Sequence, residues 1–125
     1  MRHLVVLSLV IFTALAPAYA AAPSLQGQWR GSGVVTHRKA KDTVRCRVSF
    51  QRLSATAFSV SSQCATENGR YDVTGRVAAS GSNRYSGPVQ GQGVSGTAVI
   101  VVQGNRMSVT VTSRRGAATL SLSRL

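Results

Sequence analysis

The chain has 125 residues, with 15 lysines and arginines against three acidic residues, a formal net charge of +12. That length supports one domain with one core. The one-sided charge predicts attraction to polyanions and anionic surfaces, not a particular fold. With three carboxylates, two histidines and two cysteines in all, acid–base, metal-dependent and thiol chemistry have few side chains to draw on.

The first element in chain order is an export signal. Met1-Arg2-His3 gives a basic start, residues 4–15 carry no charge, and Ala16-Pro17-Ala18-Tyr19-Ala20 places small residues where a signal peptidase reads. The uncharged run breaks at Pro17, short of the roughly 20 apolar residues a membrane span needs. Residues 1–20 are therefore expected to be cleaved, leaving residues 21–125 as a single domain that is periplasmic or secreted. No cysteine lies near the cut, so lipid anchoring is not expected. The exported chain keeps 14 basic residues, twelve of them arginine, against Asp42, Glu67 and Asp72, a net charge near +11. Cys46 and Cys64, an even count in an oxidising compartment, read as one disulfide.

After the signal, alternation of period two recurs between turn signals, the pattern of half-buried strands. The first run, Gly27 to Val35, sets Trp29 and Arg30 on opposite faces. In the second, Val44, Cys46, Val48 and Phe50 alternate with Arg45, Arg47, Ser49 and Gln51. The third puts Phe58, Val60, Ser62 and Cys64 on one face. Pairing Phe50 with Val60 in an antiparallel hairpin brings Cys46 opposite Cys64, close enough for a bridge. Asn68-Gly69, Ser82-Asn83 and Gly104-Asn105 then punctuate hairpins. The fourth strand turns Tyr71, Val73, Gly75 and Val77 inward, and the short fifth contains Pro88, which predicts an edge or a distortion. The glycine-rich stretch from Gly87 to Gly96 reads as a loop with a close approach between strands. The sixth is apolar on both faces from Ala98 to Val102, which predicts a strand covered twice. The seventh carries Met107, Val109 and Val111 inward, and the eighth Ala118, Leu120 and Leu122.

About eight short strands joined by short turns predict an all-β, antiparallel up-and-down barrel, which leaves no free edge; a β-sandwich is the alternative. An immunoglobulin arrangement is disfavoured, because Trp29 precedes both cysteines and they stand too close together. A membrane barrel is disfavoured by strands mostly shorter than the 9–11 residues needed and by the scarcity of aromatic residues. With Trp29, Phe50, Phe58, Tyr71 and Tyr85 all inward, eight strands leave an interior either filled by these side chains or just wide enough for one small ligand.

The Leu25-x-Gly27-x-Trp29 opening, a cysteine pair closing a later hairpin and the strand count resemble small lipocalin-like barrels exported by Gram-negative bacteria. Within that class the opening is similar to bacterial metalloprotease inhibitors of the Inh type. The resemblance implies structural roles for Trp29, Cys46 and Cys64, and an N-terminal tail, here Ala21 to Ser24, that enters a protease cleft.

No catalytic constellation emerges. Asp42 sits in a basic loop, Asp72 points outward, and His37 beside Arg38 and Lys39 reads as a solvated loop residue. No metal, no cofactor and no enzymatic activity are expected. What remains is binding. Arg30, Arg38, Lys39, Lys41, Arg45 and Arg47 lie within 18 residues, and their planar or ammonium cations suit phosphate and carboxylate groups. The expected function is a basic envelope module for a polyanionic partner, whether lipopolysaccharide, anionic lipid or nucleic acid. The alternatives are a lipocalin-like carrier of a small ligand or a periplasmic protease inhibitor, which would have a protein partner.

Overall fold

A computed structural model describes residues 24–38 and 40–125. The export signal, the expected cleavage site and Lys39 lie outside the described residues. Eight strands follow one another: β1 Gly27–His37, β2 Ala40–Arg52, β3 Ala57–Thr66, β4 Gly69–Gly81, β5 Arg84–Gly91, β6 Val94–Gln103, β7 Arg106–Ser113 and β8 Gly116–Arg124. Each pairs antiparallel with the next, and β8 returns to β1 from Trp29 opposite Arg124 to Thr36 opposite Ala117, closing the barrel. The sandwich alternative is thereby set aside.

The inward residues named by alternation face the interior, and the β2–β3 register pairs Phe50 with Val60 and Cys46 with Cys64. The two cysteines form the expected disulfide. The outward faces of β1 and β2 carry Arg30, Ser32, Arg45, Arg47 and Ser49, all exposed. An apolar inside and a polar outside invert the plan of a membrane barrel. Among the described residues no helix is long and apolar enough to cross a membrane.

Closure depends on glycine at the seam. A β-carbon at Gly31 would stand 1.9 Å from the carbonyl oxygen of Ser121, and one at Gly33 would stand 1.8 Å from that of Thr119. Only glycine lets β1 bend this closely onto β8, the device by which small barrels turn a corner.

The strands are longer than expected: six of the eight have nine residues or more, so strand length is no argument against a membrane barrel. Three local expectations also change. Pro88 is not on an edge, since none exists, but the β4–β5 ladder loses its pairs at Arg76 and Val77 opposite Pro88 and Gly87. A proline supplies no N–H there, so the distortion is the part that holds. The stretch from Gly87 to Gly96 is not a loop: it is the end of β5, a Gln92-Gly93 turn with φ of 52° and 76°, and the start of β6. Its expected close approach is present, because a β-carbon on Gly87 would meet the Arg76 carbonyl oxygen at 1.9 Å. Finally, β6 is covered on one side alone. Ala98, Ile100 and Val102 are buried while Val99 and Val101 are half-buried on the outer wall, where Ser86, Thr110, Arg84 and Ser108 flank them.

Candidate functional site

The two ends of the barrel differ. At one end Leu25 and Trp29 are wholly buried, with Phe58, Tyr85, Val102, Met107 and Leu122 packed beside them. Phe58 and Tyr85 meet edge to face at 5.6 Å, a favoured aromatic arrangement. The N-terminal segment seals this end. Trp29 Nε1 donates to the Leu25 carbonyl at 3.0 Å, so the indole fixes the segment that covers it. Arg124 donates to the carbonyls of Gln26 and Ser24 at 3.0 and 2.8 Å and lies 4.3 Å over the Trp29 ring. Arg52 donates to Ser24 Oγ at 3.0 Å and lies 5.0 Å from the Phe58 ring centroid. Both arginines are occupied structurally, and Ser24, which the inhibitor resemblance places in a free tail, is tied down.

The other end is open. A cavity of about 1110 Å³ runs from the turns at this end down to Phe50. Its wall is hydrocarbon: Val44, Val48 and Phe50 from β2, Val73 and Val77 from β4, then Ala98 and Ile100 from β6. Val109, Val111, Ala118 and Leu120 complete the far side. The disulfide also faces the cavity. Ser62 is the one buried polar side chain among the described residues, and its hydroxyl lies 3.2 Å from Cys64 Sγ. From Asp42 at the mouth to Phe50 at the floor is eight residues of tilted strand, a depth of about 20 Å.

Of the two interiors the sequence left open, the barrel has the one with a cavity. Of the five aromatic residues, Trp29, Phe58 and Tyr85 plug the closed end. Phe50 forms the cavity floor, and Tyr71 stands at the mouth, 40% exposed. Small and β-branched side chains elsewhere on the inner face are too short to meet across the axis, which leaves the space.

The mouth is built from hairpin turns. Arg38 occupies the β1–β2 turn with φ of 52°, and Arg114 and Arg115 occupy the β7–β8 turn. Ser113 shapes that second turn: its Oγ donates to the Gly116 carbonyl at 3.2 Å and accepts from the Arg115 N–H at 3.2 Å. Gly116 lies so close to β1 that a β-carbon would stand 2.1 Å from the Thr36 carbonyl oxygen. The two turns are thus neighbours, and the three arginines share one side of the mouth. His37 Nε2 and Asp42 Oδ2 are 2.8 Å apart, and among the described residues no arginine lies within ion-pair distance of a carboxylate, so none of these three has such a partner.

The six expected basic residues divide. Arg30 stands directly opposite Arg47, and Arg45 opposite Ser32, on the outer wall, with Lys41 further toward the mouth. Arg38 instead lines the cavity opening, and Lys39 lies outside the described residues. Reading the sequence missed Arg114 and Arg115 as site residues. Among the described residues no cluster of three or more potential metal ligands occurs.

No protein-family model matches the chain, and no curated protein matches it. Solved structures do. A redesigned β-barrel, mFAP1, bound to DFHBI is similar with a TM-score of 0.72 at 16% identity, over 83% of this chain and 98% of that one. Rv2717c from M. tuberculosis gives a TM-score of 0.62 at 16% identity, over 89% and 99% of the two chains. The Schistosoma mansoni fatty acid binding protein in complex with arachidonic acid gives 0.50 at 16% identity, over 84% and 98%. At such identities the likeness is one of fold alone: a small, closed, eight-stranded antiparallel barrel. None of these comparisons supports the expected likeness to Inh-type inhibitors. The disulfide itself suggests an oxidising, non-cytoplasmic compartment.

Proposed function

We propose that this chain is a non-catalytic, exported binding protein that holds a small apolar ligand inside its barrel. One observation carries the reading: a cavity of about 1110 Å³, walled by aliphatic side chains and open at one end only. Ligand pockets commonly span roughly 300–1,000 Å³ and combine apolar walls with few polar groups. Each methylene a ligand buries here contributes about 0.8 kcal/mol against the cost of association. Barrels of this fold that hold DFHBI or arachidonic acid support the reading by analogy. Titration with the neutral fluorescent probe N-phenyl-1-naphthylamine tests it. One saturable site is expected, weakened by Ala98→Trp, which fills the cavity; fluorescence that rises without saturation, or ignores Ala98→Trp, would refute the reading.

A second reading rests on the outer wall. Arg30 and Arg47 are like charges in direct cross-strand register, an arrangement that destabilises a sheet, and an anionic partner would relieve it. The expected polyanion role is kept on this ground for Arg30, Lys41, Arg45 and Arg47. Replacing Arg30, Arg45 and Arg47 with glutamine should lower the salt needed for elution from heparin more than replacing Arg76, Arg84 and Arg106. Equal losses would mean that net charge alone is responsible.

A further inference from the structure

We infer that the cavity takes a single-chain amphiphile tail first, with an anionic head held at the mouth by Arg38, Arg114 and Arg115. The inference rests on reading the cavity as a ligand site and adds the ligand's chemical class and its direction of binding.

The direction follows from where polar groups stand. Below the mouth the wall offers aliphatic side chains, the disulfide and the hydroxyl of Ser62. An ionised head placed there would lose its hydration and meet no countercharge, which makes that pose prohibitive. A tail placed there replaces water on an apolar wall about 20 Å deep. The head must therefore remain at the opening.

The sign of the head follows from the arginines. At the closed end Arg52 and Arg124 are consumed by hydrogen bonds to Ser24 and Gln26 and by the faces of Phe58 and Trp29. At the open end Arg38, Arg114 and Arg115 line the cavity with no carboxylate partner. The one carboxylate lining the mouth, Asp42, is engaged by His37 at 2.8 Å. A second, smaller recess of about 460 Å³, lined by Gly93, Ser95, Arg114 and Arg115, adjoins the same turn. It gives the head room beside Arg114 and Arg115, outside the hydrocarbon. Guanidinium groups carried on short hairpin turns suit a carboxylate or sulfate of this kind.

The test compares dodecanoate, dodecanol and dodecyltrimethylammonium by titration calorimetry at neutral pH and low salt. Dodecanoate should bind the natural protein about five- to tenfold more tightly than dodecanol, the yield of two or three exposed charge contacts. Dodecyltrimethylammonium should bind more weakly than dodecanol. The triple substitution Arg38→Gln, Arg114→Gln, Arg115→Gln should erase the preference for dodecanoate while dodecanol still binds, which also verifies the fold. Removing the same charge from the outer wall through Arg30→Gln, Arg45→Gln and Arg47→Gln should leave the preference in place. If dodecanol and dodecanoate bind one site equally, the head contact is refuted and the cavity reading survives. A preference that persists in the mouth variant, or falls equally in the outer-wall variant, refutes the assignment to these arginines. If neither compound binds saturably, the cavity reading itself fails.

Discussion

Adding one phenyl ring at two positions should have opposite effects, because one end of this barrel is packed and the other is not. Ala118 lies on the cavity wall between Val35 on β1 and Val111 on β7. In Ala118→Phe the ring enters open apolar space. Fully burying a phenylalanine is worth about 1.5–3 kcal/mol, so a partly enclosed ring should stabilise by about 1 kcal/mol. Val102 is 0% exposed within the plugged end, where extra bulk forces neighbours off their rotamers at about 1–3 kcal/mol. For a domain of this size 1 kcal/mol corresponds to roughly 4–8 °C in melting temperature. Thermal melts followed by circular dichroism should therefore show Ala118→Phe unchanged or several degrees higher, and Val102→Phe clearly lower. N-phenyl-1-naphthylamine binding should fall in the first variant alone. Comparable destabilisation by both substitutions would mean that the barrel is filled along its whole length, and the reasoning would fail.

Three further outcomes follow from the same geometry. Replacing Cys46 and Cys64 with alanine should cost about 3 kcal/mol by the chain-entropy account, read by chemical denaturation of the oxidised protein; no change would remove the bridge's structural role. Arg124→Gln should cost about 2 kcal/mol through its lost carbonyl contacts and ring stacking. Arg114→Gln, on an exposed turn, should stay within about 0.5 kcal/mol, and equal effects would contradict the division of labour between the two ends. Intact mass of the exported protein should correspond to a chain starting at Ala21, and recovery of the uncleaved precursor would overturn the export signal.

The strand pattern was legible because one face of nearly every strand is buried, so alternation from Val44 to Phe50 or from Met107 to Val111 reports the inside directly. The Phe50–Val60 register and the Cys46–Cys64 bridge followed from that same periodicity. What alternation does not report is height along the barrel axis. It marks Tyr71 and Trp29 alike as inward, yet one stands at the mouth and the other under the plug. The volume enclosed was illegible for the same reason. It depends on how small residues such as Ala98 and Ala118 face one another around the barrel, a property of closure and tilt that no single strand contains. The mouth arginines were closer to legible. In an up-and-down barrel alternate turns share an end, so the turn at Arg38 and the turn at Arg114-Arg115 had to meet once eight strands were counted. Their sequence separation concealed this, while the cluster from Arg30 to Arg47 drew attention to the outer wall.

The central claim is that a small apolar molecule lies inside the barrel, and nuclear Overhauser contacts between bound N-phenyl-1-naphthylamine and methyl-labelled protein test it most directly. The account predicts contacts from the probe's aromatic protons to the inward methyl groups of Ile100, Val109 and Leu120. Contacts confined to the outward methyl groups of Val34, Val99 and Val101 would place the probe on the outer wall and contradict the account.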